Sequence, residues 1–156
     1  MPFRFTLEEV LDYRNRIEET RQRELNEIRR RMDYVEGLIR EARERRIHYR
    51  QELNEVVSRK RSSGLQRIYL DYLRGLDDLI QRTEAHLEDL RRECDRRRGL
   101  LEAAMRERRI MQELRKAELR QYLLEERRAE GRVYDEIAIR KFVTAQQEKI
   151  ARMEEG

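Results

Sequence analysis

The sequence predicts an all-α protein: two long helices in an antiparallel coiled-coil hairpin, the second helix overhanging the first. Three observations predict it. Charged residues make up 45% of the 156 and hydrophobic ones only 38%, too small an apolar share for a compact globule. The one proline is Pro2, so nothing inside the chain forbids continuous helix. Apolar residues recur in alternating steps of three and four on both sides of one turn, which is a heptad repeat.

The first helix has a start signal at Phe5-Thr6-Leu7-Glu8-Glu9-Val10. Thr6 and Glu9 have the spacing of a capping box, and Phe5 and Val10 that of a hydrophobic staple. The seam then runs Leu25, Ile28, Met32, Val35, Ile39, Ala42, Arg46, Tyr49, Leu53, Val56. Ser62-Ser63-Gly64 is the strongest turn signal, and Ser63 with Gln66 reads as a second capping box. The second seam runs Tyr69, Leu73, Leu76, Ile80, Thr83, Leu87, Leu90, Cys94, Arg97, Leu101, Ala104. If facing residue numbers sum to about 122, every seam residue meets a seam residue, and a-type positions meet d-type ones. Cys94 then fills space opposite Ile28. Arg14, Arg21 and Arg97 make the open end of the seam polar. Arg14 would face Arg108 there without a counter-ion, so the stretch 14–24 against 97–108 is expected to splay, bend or shift phase. Apolar layers return at Leu7 and Leu11 against Met111 and Leu114.

The whole chain, 1–156, reads as one coiled-coil domain. Helix 1 covers about 6–57, the turn 58–64 and helix 2 about 65–150, unpaired beyond about 117. The overhang would extend on the order of 50 Å at 1.5 Å per residue. It carries an apolar island, GRVYDEIAIRKF at 131–142, that nothing in its own chain reaches. Such a stripe marks a site for another protein, or else a fraying tail. Tyr49, Tyr69 and Tyr122 fit the seams, whereas Tyr72 lies off the seam just past the turn, where an aromatic either anchors a partner or packs on the flank of the hairpin.

The same composition excludes several function classes. The net charge is +4 from 37 basic and 33 acidic residues, with the signs interspersed as on solvated helix faces. A single cysteine carries no disulfide framework. The N-terminus has early acids and no apolar core of a signal peptide. No run approaches the roughly 20 apolar residues that cross a bilayer, so the expected location is cytoplasmic. There is no glycine-rich phosphate loop and no Cys/His cluster. His48 and His86 lie on different arms, out of register with each other. The serines, Ser58, Ser62 and Ser63, sit at the turn without a histidine base. The chain is expected to be no enzyme and to hold no metal or cofactor.

Phe3-Arg4-Phe5-x-Leu7-Glu8-x-x-Leu11-x-x-Arg14 resembles the opening of the flagellar export protein FliJ family. So do the length, the turn after about sixty residues, and the late Glu130-x-x-x-x-Asp135-Glu136 followed by Ala138. The resemblance covers the whole chain and implies a coiled coil similar to the central-stalk gamma subunit of rotary ATPases. It implies a part in flagellar biogenesis and type III protein export, at the inner face of the cell membrane. Its implied partners are the export ATPase hexamer, the export-gate membrane protein and export chaperones. By similarity, Val133, Tyr134, Asp135, Glu136, Ile137 and Phe142 would meet the ATPase ring. Tyr69, Tyr72 and Leu76 would meet the gate. Two other readings compete. Arginine tracts at 29–31 and 96–98 and a pI near 9.4 would suit a nucleic-acid arm, although neighbouring acids dilute the field, so no nucleic acid is expected. Paired overhangs would suit a homodimeric rod, with a monomer the expected state.

Overall fold

The computed structural model describes residues 1–156 as two helices packed against each other, with no strand. Helix α1 is Glu8–Ser58 and α2 is Ser63–Glu154. The chain divides into two compact units. One is Arg14–Glu107; the other combines Met1–Tyr13 with Arg108–Gly156.

The unit Arg14–Glu107 is a helical hairpin held by the heptad seam. Leu25, Ile28, Val35 and Ile39 of α1 are buried with Leu87, Leu90, Cys94 and Leu101 of α2 in one apolar cluster, and Met32 packs against it. Each buried side chain contributes on the order of 1.5–3 kcal/mol against the entropy of ordering so long a chain. Cross-helix contacts give the register. Glu52 meets Tyr69, Arg46 meets Asp77, Glu24 meets Arg97 and Arg14 meets Glu107. In each pair the two residue numbers add up to within one of the expected 122.

The turn is tighter than the sequence signals suggest. Helix α1 ends in a Schellman motif: the Arg61 amide donates to the Val56 carbonyl at 3.2 Å, and the Lys60 amide to Val57 at 3.1 Å. Lys60 supplies the left-handed residue, at φ 49°. Gly64, expected in the turn, is already helical. The cap of α2 is Ser62, not Ser63. Its hydroxyl accepts from the Leu65 amide at 3.2 Å, while the Gln66 side chain donates to the Arg61 carbonyl at 3.3 Å. The Schellman closure ends one residue earlier than a Ser-Ser-Gly loop would, which moves the cap with it.

The polar layers neither splay nor shift phase. Half-buried Arg14, Glu18 and Arg21 continue the seam spacing into buried Leu25, with Ile17 half-buried beside them. The physical reason is local counter-ions. Arg14 pairs with Glu107. Arg97 donates through Nη1 to the Glu24 carbonyl at 2.7 Å and through Nε to Glu93 at 2.9 Å. Glu93 also accepts from Arg96 through both oxygens. Hydrogen bonds from Arg96 and then Arg97 hold its carboxyl down at about 2.

In the second unit, the N-terminal segment lies on α2 between Arg108 and Tyr122. Phe5 and Leu11 are buried. Phe3 stacks at a tilt on Tyr122, ring centroids 5.6 Å apart, with the Arg115 guanidinium 5.6 Å over its face. Thr6 does not cap Glu9. Its amide and hydroxyl both donate to the Glu118 carboxylate, at 3.2 Å and 2.8 Å. A charged acceptor on the neighbouring helix outbids a local neutral cap, and α1 begins at Glu8. The staple expectation fails for the same reason: Phe5 turns inward while Val10 stays exposed. Leu7 and Leu114 are exposed too, leaving Leu11 as the buried residue of the expected apolar layers.

A non-glycine residue in the left-handed region costs about 1–2 kcal/mol. Lys60→Gly should therefore raise unfolding stability by up to about 1 kcal/mol, read as a higher urea midpoint at unchanged slope. Glu93 contributes in the opposite sense on the acid side. Its folded pKa lies below its ordinary 4.5, so its stabilisation is present above that value and is lost as pH falls toward 2. The urea midpoint of Glu93→Gln should fall less between pH 5 and pH 2 than that of the parent.

Candidate functional site

Two surfaces carry the residues that the sequence singles out, one in each unit. The first follows the turn. Tyr69 and Tyr72 lie three residues apart on α2, and Tyr49 of α1 reaches both. Its ring centroid is 4.6 Å from Tyr72 at 66° and 6.3 Å from Tyr69 at 48°. The Tyr69 hydroxyl donates to Glu52 at 3.0 Å, and the other Glu52 oxygen is 2.9 Å from His48 Nε2. That hydrogen bond, with Glu52's negative charge behind it, raises the Tyr69 phenol above its ordinary 10.0. Tyr72 presents 41% of its surface to solvent, whereas Leu76 is buried in the seam at 5% and offers its side chain to α1 instead. Sequence reasoning missed Ile68 and Leu79, both exposed. They stand four before and seven after Tyr72, so a second apolar stripe flanking the seam was the available signal.

The second surface is the end of α2. From Leu123 to the terminus every residue is exposed. Tyr134 is 71% exposed and Phe142 65%; Val133, Ile137, Ile139 and Val143 are exposed as well, as are Asp135 and Glu136. At about 100° per residue, Val133, Tyr134 and Ile137 share one face of the helix, which Leu119 and Leu123 extend backward. Ile139, Phe142 and Val143 share the opposite face, which Ile150 and Met153 extend forward. The island is two half-stripes on opposed sides of one helix. Asp135 falls on the second side, between the azimuths of Phe142 and Ile139.

The comparison with protein families covers both surfaces. Residues 3–147 match the family described as flagellar FliJ protein. The chain belongs to the FliJ family. Compared with curated proteins and with solved structures, it matches none. FliJ-family membership makes it a flagellar type III export-related protein. The matched region takes in the N-terminal segment on Tyr122, the aromatic cluster after the turn, and the island through Val143. No helix of this FliJ-family chain is long and apolar enough to cross a membrane.

The aromatic geometry is open to titration. Glu52 raises Tyr69, and a hydrogen bond to Glu126 raises Tyr122. In an alkaline ultraviolet titration the amplitudes lost in Tyr69→Phe and Tyr122→Phe should belong to the latest-ionising phenols. Glu52→Gln should return Tyr69 toward 10.0. A parent titration with seven indistinguishable tyrosines would contradict the hydrogen bonds.

Proposed function

We propose that this FliJ-family chain is a coupling stalk of the flagellar export apparatus, without chemistry of its own. In this reading the bare end of α2 docks on the export ATPase ring, and the aromatic patch after the turn meets the export gate. The observation that carries it is the bare segment itself, helical to Glu154 yet exposed at every residue from 123. An isolated helix gains nothing from exposing Val133, Tyr134, Ile137, Phe142 and Val143 to water. Their distribution over two opposed faces suits a partner that surrounds the helix, such as a ring, better than a single flat surface or one companion helix. Asp135 and Glu136 would answer basic groups on that partner.

At the other surface, Tyr72 supplies the exposed anchor, and Tyr49 holds its ring in place, itself in contact with Tyr69. Leu76 supports the patch from beneath by packing the seam, so its contribution is indirect. Export chaperones are further partners of this reading. It places the chain in the cytoplasm, peripheral to the membrane at the flagellar base.

A chain truncated after Glu130 should keep its helical circular dichroism and its cooperative unfolding, because the buried cluster lies wholly before that residue. It should lose co-sedimentation with the assembled ATPase ring. Undiminished ring binding by the truncated chain sinks the stalk reading. Tyr72→Ala should leave ring binding intact and weaken capture of the gate protein's cytoplasmic region about tenfold, in line with the loss of one exposed aromatic anchor.

A further inference from the structure

The two flanks of the hairpin unit are unlike. On one flank, a groove of about 600 Å³ is spanned by ion pairs: Arg43 to Glu84, and close by Arg46 to Asp77. On the other flank lies a groove of about 630 Å³ with Val35 as floor and Tyr34, Leu38, Thr83 and His86 as walls. No ion pair joins the helices across it. Tyr34 is 69% exposed and Leu38 40%, so the heptad seam does not consume them. Tyr34 and Leu38 stand one turn apart on α1, where knobs of a third helix would seat. The lining runs from Glu27 to Leu38 on α1, a length of about 16 Å at 1.5 Å per residue, or three helical turns.

The rim sets the charge of what fits. Arg30, Arg31 and Arg82 surround the apolar walls, with Glu27 the one acid among the lining residues. Glu27 is paired with Arg31 at 2.8 Å. Arg82 donates only to the Asp78 carbonyl, and Arg30 has no ionic partner. Two guanidiniums are therefore uncompensated beside exposed aromatic and aliphatic surface. Their planar forks match carboxylates.

We propose that the Tyr34–Leu38–His86 groove docks an acidic amphipathic helix of a partner protein, about three turns long. Leucine-type side chains would seat against Tyr34 and Leu38, and flanking carboxylates on Arg30 and Arg82. This contact is separate from the ring and gate contacts proposed above and does not depend on either. Docking there would complete a three-helix layer over the hairpin, the helix-in-groove mode of recognition.

The test uses the intact chain and two fluorescent helical peptides with the same leucine stripe. One carries glutamates along the edges of the stripe; the other carries lysines. Anisotropy titration at low salt should give at least tenfold tighter binding of the acidic peptide, weakening as salt rises. Leu38→Asp should reduce that binding at least tenfold, and the Arg30→Glu/Arg82→Glu double variant should invert the preference between peptides. Ile47→Asp, on the opposite flank, should change neither. Circular dichroism and urea midpoints control for folding, since all four side chains are exposed. Equal affinity for both peptides, no binding of either, or indifference to Leu38→Asp would overturn the proposal. So would a dimer in sedimentation that Tyr34→Arg dissociates, because a second copy would then own the groove.

Discussion

The narrow apolar seam between α1 and α2 is the constraint on which the rest of the structure depends. A two-helix coiled coil buries only its a and d positions, two residues in seven, and leaves the other five to solvent or to partners. With so little apolar burial available, the seam has to stay in one register along the hairpin, and here it does so even through layers that contain arginine. Glu93 and Glu107 make those layers tolerable. Each lies beside the seam, partly solvated, and meets an arginine that would otherwise be stranded in it. Because the charges are only half-buried, the desolvation cost that makes deep ion pairs unfavourable is largely avoided. The Arg97 bond to a main-chain carbonyl adds a further acceptor without disturbing α1.

A seam this narrow also makes surplus apolar residues conspicuous. Tyr34, Leu38, Ile68, Tyr72 and Leu79 in the hairpin unit, and the island at 133–143 in the other, lie outside the buried seam and stay exposed. Exposed single hydrophobics are ordinary on any protein, but clustered ones on a chain with a mean hydropathy of −1.07 are not. Their arrangement differs from place to place, and the difference is informative. Around Tyr72 they form a supported aromatic cluster; beside Tyr34 they line a cationic groove; on the bare end of α2 they occupy opposed faces. Those are three different shapes of exposed apolar surface on one chain of a flagellar export-related family.

Much of this was legible in the residues. The heptad spacing of Leu25, Ile28, Val35 and Ile39 against Leu87, Leu90, Cys94 and Leu101 determined the pairing, and the turn centred near Arg61 determined its register, since a shift of one heptad keeps the period but unbalances the loop. The exposure of Val133 to Phe142 followed from the unequal lengths of the two arms on either side of the turn. Local signals near the helix ends were less dependable. Thr6, Ser63 and Gly64 each carry a sound local preference, yet each was overruled by a contact or closure within two residues of it or across the helix pair. Capping energies are about 1 kcal/mol, and a carboxylate such as Glu118 competes at that level.

By itself, then, the sequence determined that this chain is a helical hairpin of the FliJ family, how its arms pair, and which end is left uncovered. These follow from periodicity, which acts over dozens of residues and sums many small terms. Only the tertiary structure decided that Thr6 belongs to Glu118, that Lys60 turns the chain, and that one flank is closed by ion pairs while the other stays open. Those outcomes rest on single contacts: a main-chain closure at Lys60, and side chains reaching across from a neighbouring helix. No spacing within one helix records the neighbour's reach.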